Sequence, residues 1–214
     1  DRDTAKKSKN LEKILDEFHT SGDILIGTQL IAKGHHFEEV TFVGVLGIDT
    51  ILNIPDFRAC ERVFQLLTQV AGRAGRGKKS GRVVIQTFKP EHYAIQFAKS
   101  HNYEGFYQRE INYRRELWYP PFSKLINIII SSKQEIALKK YCQLLDSYLK
   151  KETLIFGKKV QIIGPKPAPI EKIKLFYRWN TLIKCDVNIE NKLKSIIKCL
   201  PERKSSVRLI IDYE

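Results

Sequence analysis

The order of apolar segments in residues 120–214 places the tightest limits on the fold of this chain. Runs with strand-like and helix-like spacing follow one another there as strand, helix, strand, strand, helix and strand. A proline-rich stretch at 164–169 is predicted to form a stiff turn after the second strand. The predicted segments are 124–132, 134–152, 160–163, 177–185, 189–200 and 207–213. This order is typical of an α+β ferredoxin-like (βαββαβ) domain.

Residues 1–89 carry a different pattern, in which helices alternate with short strands. A first helix is predicted to begin at Thr4 or Ser8 and to end at Gly22, and a second helix covers 57–70. Strands are predicted at 23–27, 41–49 and 81–87. Such alternation is typical of an α/β layer with a parallel sheet.

Three polar or small residues fall where the strands of this layer are predicted to end. They are Thr28, Gly34 and Asp49. Because ligands gather beyond the carboxyl ends of strands in parallel sheets, we expect the loops at these positions to face one crevice.

The chain is predicted to divide into three parts. Residues 1–89 form the α/β layer, residues 90–119 form a helical connector rich in aromatic side chains, and residues 120–214 form the second domain. The connector ends at Pro120 and Pro121, because proline disfavours a helical conformation in the residue before it.

Positive charge is concentrated in the second domain. The whole chain has a formal net charge of +13. Residues 1–89 hold 14 basic against 11 acidic residues, a net charge of +3, whereas residues 120–214 hold 19 against 9, a net charge of +10. This excess predicts a polyanionic partner. Nucleic acid is favoured over a membrane, since the chain has no long apolar run and no lipidation signal.

The four cysteines are widely spaced and form no C-x-x-C pair. They are therefore predicted to be buried thiols in a reducing cytoplasm rather than zinc ligands or disulfide partners. His35 and His36 are not predicted to form a metal site, because adjacent residues rarely share one face and no cysteine is near. The chain begins with Asp1 and contains no methionine, so we expect it to be part of a longer protein.

Residues 69–76 contain Gln69, Arg73 and Arg76, separated by small residues at the end of a predicted helix. Arginine has a permanent charge and a planar fork of donors that suits phosphate, and glycine lets a ligand approach the backbone. A Gly/Arg surface turn is the alternative interpretation. Residues 72–78 match the start of a P-loop, but Lys79 stands where that motif needs Ser or Thr, and the loop follows a helix rather than a strand.

Several strings resemble motifs of a known family. Residues 28–34 resemble motif V of superfamily 2 helicases, and residues 69–76 resemble their motif VI, Q-x-x-G-R-x-G-R. The longer strings at 27–37 and 55–62, with Gly164-Pro165, Ala168-Pro169 and Tyr177-Arg178-Trp179, are similar to the PriA family of primosomal replication-restart helicases. The resemblance extends over essentially the whole chain.

The resemblance implies part of an ATP-dependent DNA helicase that translocates 3′ to 5′, recognises stalled forks and D-loops, and restarts replication by primosome assembly. In this family ATP and Mg²⁺ lie between two RecA-like lobes. The P-loop and acidic motif of the first lobe, and the cysteine-rich zinc module, have no counterpart in this sequence. The chain therefore resembles part of the second RecA-like lobe followed by the C-terminal domain, and we expect it to have no ATPase activity by itself.

Site residues are also implied by the resemblance. Arg76 corresponds to the catalytic arginine finger, which stabilises charge on the γ-phosphate. Gln69, Arg73 and Gly34 are assigned to ATP, and Thr28 and Lys33 to the DNA backbone. Many relatives have Asp at the position of His36, so no ribose contact is assigned to that residue.

In the basic domain the candidate DNA-binding residues are Lys166, Lys172, Lys174 and Arg178, with Tyr177 and Trp179 as stacking or partner-binding residues. The alternative is that both aromatic side chains alternate into a sheet core. Implied partners are forked and single-stranded DNA, the acidic tail of single-stranded DNA-binding protein, and primosome and helicase-loading proteins, in the nucleoid of a bacterial cytoplasm. Two other functions stay open: a stand-alone RNA- or single-stranded-DNA-binding module without catalysis, and a purely structural or interaction domain.

Overall fold

The computed structural model describes residues 8–28, 40–72 and 81–214. Contacts divide the chain into two compact units, residues 1–110 and 111–214. Each unit has its own hydrophobic core. The division falls within the stretch that was predicted to be a helical connector.

The first unit combines helices with a small parallel sheet. Its described elements are α1 Ser8–Ser21, β1 Phe42–Val45, α2 Ile48–Leu52, α3 Ala59–Ala71, β2 Arg82–Ile85, α4 Tyr93–Lys99 and α5 Tyr103–Glu116. Strand β1 pairs with β2 in parallel, with Phe42 opposite Arg82 and Val45 opposite Ile85. Helices α2 and α3 lie in the described part of the chain between these strands.

Helix α3 organises the core of this unit. Its residues Val63, Phe64, Leu67 and Val70 repeat at helical spacing and are all buried. The Phe64 ring stacks on the Phe106 ring of α5, with the ring centroids 4.2 Å apart. Small residues of α4 allow close packing against α3; they are Ala94 and Ala98.

Two strand predictions in this unit need correction. Residues 23–27 are not a strand, and Ile24 and Ile26 are 81% and 87% exposed. A strand is stable only when it pairs with another strand, and no strand in the described ranges lies beside residues 23–27 to pair with them. The strand predicted at 41–49 ends at Val45, because Gly47 has a φ of 69° and residues from Ile48 form α2. The helical stretch at 91–119 is divided into α4 and α5.

The second unit contains one antiparallel sheet with two helices packed on it. Its elements are β3 Lys124–Ser132, α6 Glu135–Thr153, β4 Val160–Ile173, β5 Phe176–Cys185, α7 Glu190–Lys198 and β6 Val207–Tyr213, with 3₁₀ segments at Leu154–Lys159 and Val187–Ile189. The strands lie in the order β4-β5-β3-β6. The central strands β5 and β3 pair over nine positions, and β3 pairs with β6 over seven.

Alternating residues of the central strands form the core of this unit. Ile126, Ile128 and Ile130 of β3 are at most 1% exposed and pack in one cluster with residues of α6 and α7. Both helices therefore cover the same face of the sheet. The opposite side is called the open face below. The buried stripe of α6 contains Leu138, Tyr141, Cys142, Leu145 and Leu149. Leu144, which is adjacent to Leu145 at the edge of this stripe, is 57% exposed.

Residues 164–169 are part of strand β4 rather than a turn, which corrects the prediction from their prolines. Proline lacks the N–H that a central strand needs, but it is accepted in a strand at the edge of a sheet. Strand β4 is such an edge strand, and its pairing with β5 shifts register on either side of Lys166 and Pro167. Topology therefore overrides the local turn preference of proline here.

The sequence predicted that all four cysteines are buried, but only two of them are. Cys142 and Cys185 are buried, and burial raises the pKa of their thiols to about 12 and about 11. Cys60 is half-buried and Cys199 is exposed. Among the helices of residues 8–28, 40–72 and 81–214, none is both long and apolar enough to cross a membrane.

Candidate functional site

Helix α3 ends next to the predicted phosphate-binding motif. Its first turn is fixed by Asp56, whose carboxylate accepts hydrogen bonds from the Arg58 backbone N–H at 2.9 Å and forms an ion pair with Arg62 at 2.7 Å. Partial burial acts to raise the pKa of Asp56, but the hydrogen bonds and charges of Arg58 and Arg62 outweigh it, so this pKa lies below its usual value. The helix therefore has a defined start as well as a packed face.

Gln69 is half-buried in the last turn of α3, and Gly72 closes the helix with its N–H bonded to the Thr68 carbonyl oxygen at 3.1 Å. Thr28 lies at the end of a described segment and is exposed. The other predicted residues of this site, which are Lys33, Gly34, Arg73 and Arg76, lie outside the described residues. Their assignments stay predictions.

Asp49 does not occupy a strand end. It lies in the first turn of α2 and accepts hydrogen bonds from the Thr87 hydroxyl at 2.9 Å and from the Phe88 N–H at 3.1 Å. Both carboxylate oxygens are thus used to join α2 to the segment that follows β2. Asp49 therefore makes structural contacts, whereas the sequence predicted that it would lie at a strand end beside a ligand crevice.

The predicted DNA-binding lysines lie along the β4–β5 hairpin. Lys166 and Lys172 are on the edge strand β4, and Lys174 is in the turn with a φ of 47°. All three are exposed. The ammonium nitrogen of Lys172 lies 4.5 Å from the centre of the Tyr177 ring and 3.3 Å from its hydroxyl. The hairpin therefore presents a line of cations at one side of the unit.

Tyr177 and Trp179 lie on the helix side of the sheet. They share this side of β5 with Ile183 and are half-buried against its core. This position favours the packing alternative for both rings, since a core contact leaves less of each ring free for a base. Their role in stacking or partner binding stays a prediction.

Arg178 alternates with these aromatic residues and belongs to the open face. Directly opposite it on β3 is Ser131, and opposite Ser131 on the other side is Arg208 of β6. Neither Ser131 nor Arg208 was a candidate site residue from the sequence. Arg178 and Arg208 are thirty positions apart in the chain, so only the order of strands in the sheet could have placed them together.

One end of the open face is closed by the chain itself. The ammonium group of Lys184 donates to the Leu117 carbonyl oxygen at 2.7 Å and lies 3.6 Å from the centre of the Tyr119 ring. Burial lowers the pKa of Lys184, and its neighbour Leu125 is 3% exposed. The accessible part of the open face is therefore the end that carries Arg178 and Arg208.

Comparison with known proteins agrees with the division of the chain into units 1–110 and 111–214. Residues 115–214 match the family model of the Primosomal protein N C-terminal domain. The chain is 44% identical to the replication restart protein PriA of Bacillus subtilis over 203 residues, which are 94% of the chain and 25% of that protein. It is 40% identical to the replication restart protein PriA of Synechocystis over 100% of the chain and 25% of that protein. It is 37% identical to the replication restart protein PriA of Borreliella burgdorferi over 97% of the chain and 31% of that protein.

The chain thus spans between a quarter and a third of the length of these curated relatives. The similarity covers both units, because it includes nearly every residue from the first helix to the last strand. Over the segment that it represents, the chain belongs to the family of the replication restart protein PriA.

Proposed function

We propose that this chain acts in replication restart, as part of the second motor lobe and the C-terminal domain of an ATP-dependent 3′-5′ DNA helicase. The observation that carries the proposal is the family membership, which extends over both units and includes the helicase-like strings at 28–34 and 69–76. Under this proposal the complete protein recognises stalled forks and D-loops and assembles the primosome there.

The first unit supports a motor role through its local architecture. Parallel strands joined through helices, as in β1 to β2, are the unit of which RecA-like lobes are built. Helix α3 carries Gln69 in its last turn, and the motif continues from there to Arg73 and Arg76. We assign Gln69 to contact with ATP, while the triphosphate and Mg²⁺ are held mainly by residues that this chain does not contain.

Arg76 has the catalytic role in this proposal. A triphosphate accumulates charge on its γ-phosphate oxygens during hydrolysis, and a guanidinium delivered by the second lobe stabilises that charge. The small residues on either side of the arginines suit a close approach of the backbone to the nucleotide.

The second unit supports nucleic-acid and partner binding. Its strand order β4-β5-β3-β6, with both helices on one face, fits the ferredoxin-like plan. We assign Lys166, Lys172, Lys174 and Arg178 to the DNA backbone. An acidic protein tail, such as that of single-stranded DNA-binding protein, and the helicase-loading proteins of the primosome are the proposed protein partners of this basic unit.

The arginine-finger assignment is tested in the complete protein with Arg76→Ala. DNA-stimulated ATP hydrolysis should fall by about 10³-fold or more, and the Kd for ATP should change only a few-fold. Arg82→Ala serves as the control, because Arg82 is also basic, follows the same motif and is exposed on β2. Turnover by Arg76→Ala close to that of the control would remove Arg76 from the catalytic step.

A nucleic-acid-binding module without catalysis is the second candidate, and the net charge of +10 in residues 120–214 favours it. The two functions differ in ligand preference. Titrations of the 214-residue chain with forked DNA, single-stranded DNA and RNA over a range of salt concentrations separate them. Preference for DNA without ATPase activity fits the helicase assignment, whereas tighter binding to RNA supports the module.

A further inference from the structure

The accessible end of the open face contains a groove that no prediction from the sequence included. Its volume is about 530 Å³, and its polar and aromatic lining consists of Ser131, Phe176, Arg203, Lys204, Ser205 and Arg208. These residues come from the start of β5, the end of β3, and β6 with the loop before it. We call this feature the Phe176 groove.

Phe176 fixes the position of a cation in the groove. The guanidinium carbon of Arg208 lies 4.4 Å from the centre of the Phe176 ring, and the ammonium nitrogen of Lys133 lies 5.5 Å from it. Stacking on an aromatic face limits the rotamers of a long arginine side chain, so less conformational entropy is lost when it binds a ligand. Arg208 is thus held ready rather than free in solvent.

The described residues leave the positive charge of the groove without a salt-bridge partner. None of the nine lining residues is acidic, and three of them, Arg203, Lys204 and Arg208, are basic. Within the described part of the chain, no salt bridge involves any of these three side chains. Three adjacent cations around a concave surface attract an anion, with two serine hydroxyls as further donors.

The floor of the groove indicates which anion fits. Ile210 lines it and is 55% exposed, and Ile129 lies opposite Ile210 on β3. An apolar surface beside cations suits a strand that presents unpaired bases together with phosphates. Duplex DNA presents mainly phosphates to such a surface, and an acidic peptide would leave Ile210 without an apolar partner unless it also carried hydrophobic side chains.

We propose that the Phe176 groove binds single-stranded DNA, with phosphates on Arg203 and Arg208 and a base against Ile210. The inference rests on the proposed DNA-binding function of the second unit and assigns it a location. This location differs from the β4–β5 lysines, because the groove lies on the open face between β5 and β6. Arg208 is the central contact, and Phe176 is a positioning residue.

The test uses the 214-residue chain and a fluorescent thymidine oligonucleotide of about 15 nucleotides, with binding followed by anisotropy over a range of salt concentrations. The double variant Arg203→Gln/Arg208→Gln should reduce the slope of log K against log salt by about 1.4, which corresponds to roughly 25-fold weaker binding at 0.1 M salt. The matched control is Lys192→Gln/Lys198→Gln, which removes the same charge from exposed positions on α7.

The control should lose only a few-fold in affinity. Phe176→Leu, which keeps every charge, should weaken binding several-fold, and Phe176→Tyr should restore it because the ring face is retained. Far-UV circular dichroism checks that each variant is folded. If the double variant is unfolded, the single variant Lys204→Gln replaces it in the binding test.

Two results would overturn the proposal. In the first, the groove variant and the α7 control lose affinity equally, which reduces the effect to net charge. In the second, the groove variant keeps its affinity for DNA but loses binding of an Asp/Glu-rich peptide, which assigns the groove to a protein partner. If the unchanged chain does not bind single-stranded DNA at all, the proposed function of the unit fails along with the groove.

Discussion

The two sheets in the described part of the chain differ in how much of their apolar surface is buried. In residues 111–214, β3 is paired on both sides, and three of its isoleucines are at most 1% exposed. In the described part of residues 1–110, β1 and β2 pair with each other, and Phe42 and Val84 are 59% and 40% exposed. A sheet of two short strands cannot bury its own surface, so helix α3 provides most of the core in the first unit.

The largest effect is expected from truncating one buried leucine in each core. Leu145→Ala in α6 and Leu67→Ala in α3 should each lower the free energy of unfolding by about 2–5 kcal/mol, because both side chains are at most 2% exposed. Trp118 and Trp179 are the two tryptophans of the chain, and both lie in residues 111–214, so tryptophan fluorescence reports the second unit.

In urea denaturation, Leu145→Ala should therefore shift the fluorescence transition, and Leu67→Ala should shift mainly the far-UV circular dichroism. Equal shifts of both signals in both variants would mean that the two cores unfold as one cooperative system, and the comparison between them would lose its thermodynamic meaning.

A smaller effect on stability is expected when one glycine in each sheet is replaced by alanine. Gly164 of β4 has a φ of 101°, and an added Cβ would lie 2.5 Å from the Asn180 carbonyl oxygen. Gly164→Ala should therefore cost about 2–3 kcal/mol of stability. Gly44 of β1 would bring its Cβ only to 3.6 Å from the Phe42 side chain, so Gly44→Ala should stay within about 0.5 kcal/mol. Equal costs, measured by urea denaturation, would contradict the closer packing inferred for the second sheet.

The smallest effect concerns the start of α3. Because the pKa of Asp56 is below its usual value, its carboxylate stabilises the fold above the unfolded-state pKa of about 3.9, and this contribution is lost as the pH falls through the folded-state pKa. Asp56→Asn should cost about 1 kcal/mol at neutral pH, since solvent screens the ion pairs with the partly exposed Arg58 and Arg62.

The stability difference between the wild type and Asp56→Asn should narrow below about pH 4. Thermal unfolding from pH 2 to pH 7 measures it, with Asp23→Asn as an exposed-carboxylate control. A difference that does not vary with pH would show that Asp56 acts as a neutral hydrogen-bond acceptor rather than as a charge.

The sequence predicted long elements well and contacts between distant elements poorly. The bounds of β3 and β6 are those of the predicted segments 124–132 and 207–213, since both are apolar runs rich in β-branched residues with clear ends. On α6, the adjacent residues Leu144 and Leu145 fit a helical stripe almost equally well. Packing against the sheet buries Leu145 and leaves Leu144 57% exposed, which the helical spacing does not determine.

The candidate sites show the same limit. The apolar spacing predicted a helix over 57–70, and Gln69 lies in the last turn of α3. The Phe176 groove could not be predicted, because Phe176 and Arg208 are far apart in the chain and meet only through the order β5-β3-β6. Prolines 165, 167 and 169 were misread for a related reason, since local turn preference carries no information about which strand forms the edge.

Those three prolines also affect how copies of this chain behave together. A strand at the rim of a sheet normally offers a row of amide hydrogens to which another polypeptide can attach, and such attachment begins fibril growth. Three consecutive alternate positions of β4 carry no amide hydrogen. A rim with so few amide donors disfavours edge-to-edge pairing between copies of this chain.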